Sequence, residues 1–417
     1  MRLRLDSKIA KIATIAVALV LLTPYGFVAL ERYRAASVAA KEDRASLERA
    51  LQLQPNDADY HERLGRYMLF VEQDPPAALR HYEKAASLNQ YSARNWLGVA
   101  QSQLILGNSP AALNAIDHAL EVDPHTPSVA WETGNLLVTL GYPQRAMQQF
   151  RFTMANDPTM VGQGLQLGRR MEAPADAAKL ALPPDPEIYI RFINMLLLSK
   201  DIVGAKQVWP ELIALKRHLE PNQSFFYLAT LLNAGDFDSA TKAWSDLGKI
   251  CPEVARLSRG DNVIHNASFE FPVLNGGFDW ILPGTSTPDP VLQNDVSNAH
   301  EGARSLMATF DGGRPPELGL YQLFVLDPNS LYRFTGYIKA DLQSANGLRF
   351  IIADINSGKR VLETEEVLES KAWREVGGTI RTGPEKHLYA LRIVRNETTL
   401  IRGAAWVDDL QLVKVSE

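Results

Sequence analysis

The sequence predicts three parts in series: one transmembrane helix, an all-α solenoid of helical hairpins, and an all-β sandwich. Three observations predict them. Ile12 to Leu30 contains no charged residue; a residue pattern recurs about every 34 positions across much of the next two hundred residues; and after Gly260 the apolar spacing changes to a period of two. The expected bounds are 1–11 for a cytoplasmic tail and 12–30 for the anchor. They continue with 31–256 for the solenoid, interrupted near 173–186, and 261–417 for the sandwich.

The anchor follows from length and flanking charge. At the helical rise, residues 12–30 span about 28 Å, close to the hydrocarbon thickness of a bilayer. Arg2, Arg4, Lys8 and Lys11 precede the run against one acid, Asp6, while Glu31-Arg32-Tyr33-Arg34 follows it with mixed charge. The positive-inside rule then puts the N-terminus in the cytoplasm and the rest beyond the inner membrane. A cleaved signal peptide is the competing reading, but the run is long for one and lacks a small-x-small site before Glu31.

The solenoid is read from positions with distinct physical tasks. Asp123-Pro124 and Asp157-Pro158 stand 34 apart, and so do Ala78, Ala112 and Ala146. Small residues there let paired helices approach closely. Four residues later come Tyr82, Ile116 and Phe150, which fill the space between units, then Ala85, Ala119 and Thr153. Gly107 and Gly141 mark the turns inside each hairpin, where positive φ favours glycine. Together with Leu64-Gly65, Trp96, Gly134 and Leu167-Gly168, these positions resemble tetratricopeptide repeats. Val99-Ala100 departs from the Leu-Gly pair, and Asp74-Pro75-Pro76 needs a one-residue insertion. The offsets return at Tyr189, Phe192, Leu196, Ala205, Trp209 and Leu212, and again at Tyr227, Leu231, Gly235, Ala240, Trp244 and Leu247. Between them, Ala173-Pro174-Ala175 and Leu182-Pro183-Pro184-Asp185-Pro186 break the helix. The resemblance implies a concave surface, lined by first helices such as 59–70 and 92–106, that receives a protein partner.

Beyond Gly260, short alternating runs are separated by Asp311-Gly312-Gly313, Asp327-Pro328-Asn329 and Asn356-Ser357-Gly358. In 331–340, Tyr332, Phe334 and Ile338 fall on one face and Arg333, Thr335, Tyr337 and Lys339 on the other, as in a half-buried strand. Similar runs at 305–310, 319–326, 348–355, 361–367, 373–381, 388–395 and 405–415 predict a sandwich. The segments Asn262 to Glu270, Phe278-Asp279-Trp280, Gly302 to Leu306, Trp373 to Val376 and Trp406 to Leu412 resemble galactose-binding-like jelly rolls. The likeness is greatest to the carbohydrate-binding modules attached to glycanases. This resemblance implies a structural calcium ion held by Glu270 and Asp408, with Asp409 as a substitute. The alternative is that both carboxylates are merely hydrogen-bonded. It also implies a glycan platform of exposed aromatics, for which Tyr337, Trp280, Tyr321 and Trp373 are the candidates. Alternation favours Tyr337, whereas the bulk of Trp280, Trp373 and Trp406 favours the core.

The composition argues against several other classes. The chain is 46% hydrophobic and 22% charged with a net charge of −5, so nothing recommends nucleic acid as a partner. One cysteine, Cys251, excludes an intramolecular disulfide. No nucleophile elbow, phosphate loop or metalloprotease helix occurs, and Gly162 to Gly168 only approximates a dinucleotide fingerprint. The eight histidines are scattered, and Glu363, Glu365 and Glu366 read as a solvated strand edge. The expected protein is a non-catalytic envelope scaffold. By resemblance it serves polysaccharide assembly, with a pure protein-assembly factor as the alternative and a glycan-active enzyme as a remote third.

Overall fold

The computed structural model describes residues 8–169, 179, 181–282, 290–395 and 399–415. The described residues form two compact units, one of 8–169, 179 and 181–183 and the other of the described residues from 184 onward.

The first unit is helical. Helix α1 (Lys8–Ala39) contains the uncharged run, and its stretch Thr14–Ala39 is long and apolar enough to cross a bilayer, a test that a leader sequence also passes. Then come α2 (Arg44–Leu53), α3 (Ala58–Phe70), α4 (Pro75–Leu88), α5 (Ala93–Ile105), α6 (Ser109–Val122), α7 (Pro127–Thr139), α8 (Pro143–Asn156) and α9 (Val161–Arg169). Their starts are written in the sequence. The carboxylates of Asp43, Asp57 and Asp74 cap α2, α3 and α4, and proline occupies the first turn of α4, α6, α7 and α8, where no partner for an N–H is lost. Gly107 and Gly141 take φ of 80° and 83° in the hairpin turns, as expected.

The repeat positions are the core. Ala78, Ala112, Ala146, Ile116, Ala85, Ala119 and Thr153 are fully buried, and Tyr82 and Phe150 nearly so. Full burial of one such aromatic is worth roughly 1.5–3 kcal/mol. Gly98 was not singled out in the sequence, yet it is where the Tyr82 ring lies; a Cβ there would sit 2.2 Å from that ring. Gly134 receives Phe150 in the same way. Of the expected break, residues 173–178 lie outside the described residues, and Asp185 caps the helix that follows.

The second unit begins with α10 (Pro186–Leu198), α11 (Ile202–Ala214), α12 (Phe225–Asn233), α13 (Phe237–Gly248) and α14 (Pro252–Ala255). Tyr189, Phe192, Leu196, Ala205, Trp209, Leu212, Tyr227, Leu231, Ala240, Trp244 and Leu247 are all buried, as their offsets require. These helices pack on the sandwich. Trp244 meets Phe278 and His265 at ring-centroid distances of 6.0 and 5.7 Å.

Among the described residues the sandwich has two five-stranded antiparallel sheets. The back sheet has the order β1-β4-β9-β6-β7, from β1 (Trp280–Ile281), β4 (Glu317–Val325), β6 (Arg349–Asp354), β7 (Arg360–Glu363) and β9 (Leu388–Val394). The front sheet has the order β2-β3-β10-β5-β8, from β2 (Val291–Asp295), β3 (Ser305–Asp311), β5 (Leu331–Gln343), β8 (Glu369–Arg381) and β10 (Arg402–Val415). Eight of these strands were expected. The short β1 and β2 were not, since neither carries a run of alternating apolar residues. Phe334 and Phe350 meet edge to face at 5.2 Å in the core between the sheets.

Candidate functional site

Alternation along β10 buries Ala405 and Val407 and turns Trp406 outward, onto the open face of the front sheet. Trp406 stands opposite Lys339 of β5 and Met307 of β3. The Lys339 ammonium lies 5.3 Å above its ring, and its indole N–H donates to Asp295 at 2.7 Å. Along β5, alternation likewise turns Tyr337 outward, where its hydroxyl donates to Glu375 at 2.9 Å. Trp373 reaches the same face from β8, two residues before Glu375, which pairs with Tyr337, while the intervening parity buries Val376 and Ile380. Beside it, between Ile338–Arg374 and Ala340–Ser370, the register slips and 371–373 bulge. Both tryptophans are half-buried. The expectation that Trp373 and Trp406 belong to the core is therefore corrected: strand parity turns both onto the open face.

The remaining expectations divide. Trp280 is fully buried, stacks on Phe269 at 5.1 Å and offers no face to a ligand. It sits in the core because its ring is the largest apolar group available between the sheets. Tyr321 faces outward, but on the back sheet, beneath the Arg392 guanidinium at 5.4 Å. The four proposed platform residues thus do not converge. Tyr337, Trp373 and Trp406, which was expected in the core, share the front face, together with His300. His300 stacks on Tyr337 at 3.6 Å, and Trp373 meets it edge-on at 5.8 Å. Beside Trp406 lies a shallow cleft of about 280 Å³ lined by Lys339, Asp341, Glu369, Ser370 and Lys371.

Glu270 and Asp408 act on this face through the loop that carries His300. Glu270 Oε1 accepts the N–H of Ala303 (2.7 Å) and Arg304 (3.1 Å). Asp408 is fully buried; its Oδ2 accepts the N–H of His300 (2.6 Å) and Glu301 (3.1 Å), and its Oδ1 that of Asp409 (2.7 Å). A Cβ on Gly302, which has φ of +72°, would strike Glu270 at 2.2 Å, so the loop closes over the carboxylate only as glycine. Burial pushes the Asp408 carboxyl up to about 6, although the backbone N–H groups pull the other way. N–H groups aimed at these oxygens oppose a cation at the same atoms. No three His, Cys, Asp or Glu side chains gather as a metal site among the described residues. This donor set does not fit calcium, which takes six to eight oxygens. Asp409, the substitute, has its Oδ2 3.3 Å from His300 Nδ1.

In the helical unit, first helices bring Glu62, Arg94 and Glu132 into electrostatic contact. A cleft of about 160 Å³ is lined by Asp59, Glu62, Ser92, Arg94 and Asn95. Burial raises both glutamate pKa values, and Arg94 opposes it for each. The surface is mixed in charge, as expected. Histidine scatter concealed one contact: His61 Nδ1 lies 3.1 Å from His81 Nδ1, across α3 and α4. Glu363, Glu365 and Glu366 are held in ion pairs with Arg349, Arg360 and Arg374.

No family model matches the chain, and no curated protein does. Solved structures resemble its parts. The CBM22-1–GH10 modules of a Clostridium thermocellum xylanase, complexed with xylohexaose, are 15% identical at a TM-score of 0.27, covering 38% of this chain and 29% of theirs. The xylan-binding domain of a Paenibacillus barcinonensis xylanase is 18% identical at 0.26, covering 36% of this chain and 93% of its own. YrrB, a tetratricopeptide protein with an unusual peptide-binding site, is 14% identical at 0.27, covering 50% and 94%.

Proposed function

We propose that this chain is a membrane-anchored adaptor that holds a protein partner on its helical repeats and a glycan on the front sheet. The anchor is residues 12–30, the N-terminus is cytoplasmic and the remainder lies outside the inner membrane. The process served is envelope polysaccharide assembly or export. The observation that carries the glycan reading is the group Trp373, Trp406 and His300–Tyr337 on one open face, beside a cleft edged by Lys339, Asp341 and Glu369. A pyranose presents apolar C–H faces to such rings and hydroxyls to such polar edges.

Binding, not catalysis, suits this face. Glu375 is engaged by Tyr337 and Asp295 by Trp406 and Asn298. Asp341 and Glu369 stand opposite one another on adjacent strands of the same open sheet, both exposed, rather than flanking a closed cleft. A second reading, a protein-assembly factor without sugar binding, is favoured by His300, which covers one face of the Tyr337 ring.

Calorimetry of the full chain in nanodiscs against a panel of soluble bacterial polysaccharides separates the two. The adaptor reading expects binding that weakens on Trp373→Ala or Trp406→Ala by about 1–2 kcal/mol each, roughly five- to thirtyfold. No binding to any polysaccharide, with a protein still retained by the repeats, would establish the second reading.

A further inference from the structure

Helix α1 does not stop where its uncharged run ends. It continues without a break from Lys8 to Ala39, and its last turns belong to the repeat array. Ala35 and Ala39 are fully buried where α1 packs on α2, in which Leu47 and Ala50 are buried as well. Arg63 of α3 donates to the Ala39 carbonyl at 2.8 Å, closing the end of α1, and pairs with Glu42 at 3.1 Å. Arg44 at the start of α2 reaches Glu72 at the end of α3 at 3.0 Å. The anchor helix is thereby also the first helix of the first hairpin, with no linker between them.

Helical rise then fixes the height of the array. Helix α2 runs back antiparallel to α1 for 10 residues, about 15 Å. Fifteen ångströms back from Ala39 along α1 is the neighbourhood of Leu30, the last residue of the uncharged run. The turn at 54–57 therefore lies level with the point where α1 leaves the hydrocarbon. Helices α3 and α4 go up and return, so the turn at 89–92 shares that edge, while the turns at 71–74 and 106–108 form the opposite one. A typical helix tilt of about 20° shifts a neighbour one helix away by about 3 Å and the turn at 89–92, three helices on, by up to about 10 Å, less than the roughly 20 Å length of α3 that separates the two edges.

We infer that the edge carrying Pro55, Asn56 and Tyr91 rests on the bilayer interface and that its partner is the lipid headgroup layer. Tyr91 is 78% exposed in the structure, with its ring at the height where tyrosine is enriched in membrane proteins. Arg32 and Arg34, both exposed, lie just above the exit of α1. One consequence concerns the repeats: α3, 13 residues and about 20 Å long, starts at the membrane, so a partner in this groove is held within about 20 Å of it.

This inference rests on the anchor proposed above. The test uses the full chain, with Cys251→Ala, in nanodiscs containing headgroup spin-labelled lipid. A fluorophore is attached at Asn56→Cys, Tyr91→Cys, Val71→Cys or Leu106→Cys. The expected result is several-fold stronger quenching at 56 and 91 than at 71 and 106. Equal quenching at all four sites, or none at 56 and 91 in a chain that stays embedded, overturns the docked geometry alone. A chain that does not remain with the lipid overturns the anchor as well.

Discussion

Asp408 joins the fold to the candidate site, and Asp408→Asn tests how. Its carboxyl is displaced from 3.8 to about 6, chiefly by burial, so the folded protein binds a proton that the unfolded chain releases between those values. Stability from this group is complete below pH 3.8 and is lost as the pH rises through about 6. Roughly two pKa units correspond to about 3 kcal/mol. Asp279, buried and likewise raised to about 6, adds a slope of the same sign. His265, lowered to about 4 by burial, adds the opposite one, since its stability is present above 6.5 and lost as the pH falls through 4. The whole-chain profile therefore mixes these terms, and only the difference between wild type and variant isolates Asp408. Urea unfolding at intervals from pH 4 to 7.5, followed by tryptophan fluorescence, should show that difference changing by about 3 kcal/mol in favour of the variant as the pH rises. The variant also loses a carboxylate that accepts three backbone N–H groups, which offsets its absolute stability by about 2–4 kcal/mol. A pH-independent difference would refute the buried-carboxylate argument. So would calcium abolishing the wild-type slope, because a bound cation would hold Asp408 ionised throughout.

Other expectations are simpler to check. Gly98→Ala, whose methyl would lie 2.2 Å from the Tyr82 ring, should destabilise the first unit by about 1–3 kcal/mol in thermal melts. Gly162→Ala, with nothing within 4 Å of its Cβ, should be neutral or slightly stabilising. Cys251 is fully buried, donates to the Leu219 carbonyl at 2.6 Å and has its thiol pushed up to about 11 by burial. It should react with a thiol reagent only when the second unit unfolds. Chelator and added calcium should each leave the melting temperature unchanged, as the Glu270 and Asp408 hydrogen bonds require no metal.

The fold was largely legible because it repeats. Ala78, Ala112 and Ala146 face the same packing problem in successive hairpins, so one solution recurs at fixed spacing, and burial follows it residue by residue. Strand faces were legible where parity holds, as at Tyr332, Phe334 and Tyr337. The site was less so. Trp373 and Trp406 obey the alternation of their strands, but which face of each strand is covered by the other sheet is settled only when β8 and β10 pair with β5. Tyr321 satisfies the same alternation as Tyr337 but lies on the other sheet, because strand order is decided by chain topology. His300 sits in a loop with no periodicity and is brought to Tyr337 by carboxylates at 270 and 408.

Local chemistry alone therefore determined the uncharged helix, the hairpin period, the glycine turns and the change to pleated strands near Gly260. Each depends on neighbours within a few residues or on a repeat of such neighbours. Tertiary structure decided which aromatics share a face, that Trp280 is core, and that Glu270 and Asp408 clamp a loop. Those outcomes depend on groups as much as 150 residues apart, such as Asn262 and Leu412, which meet only when the sheets close.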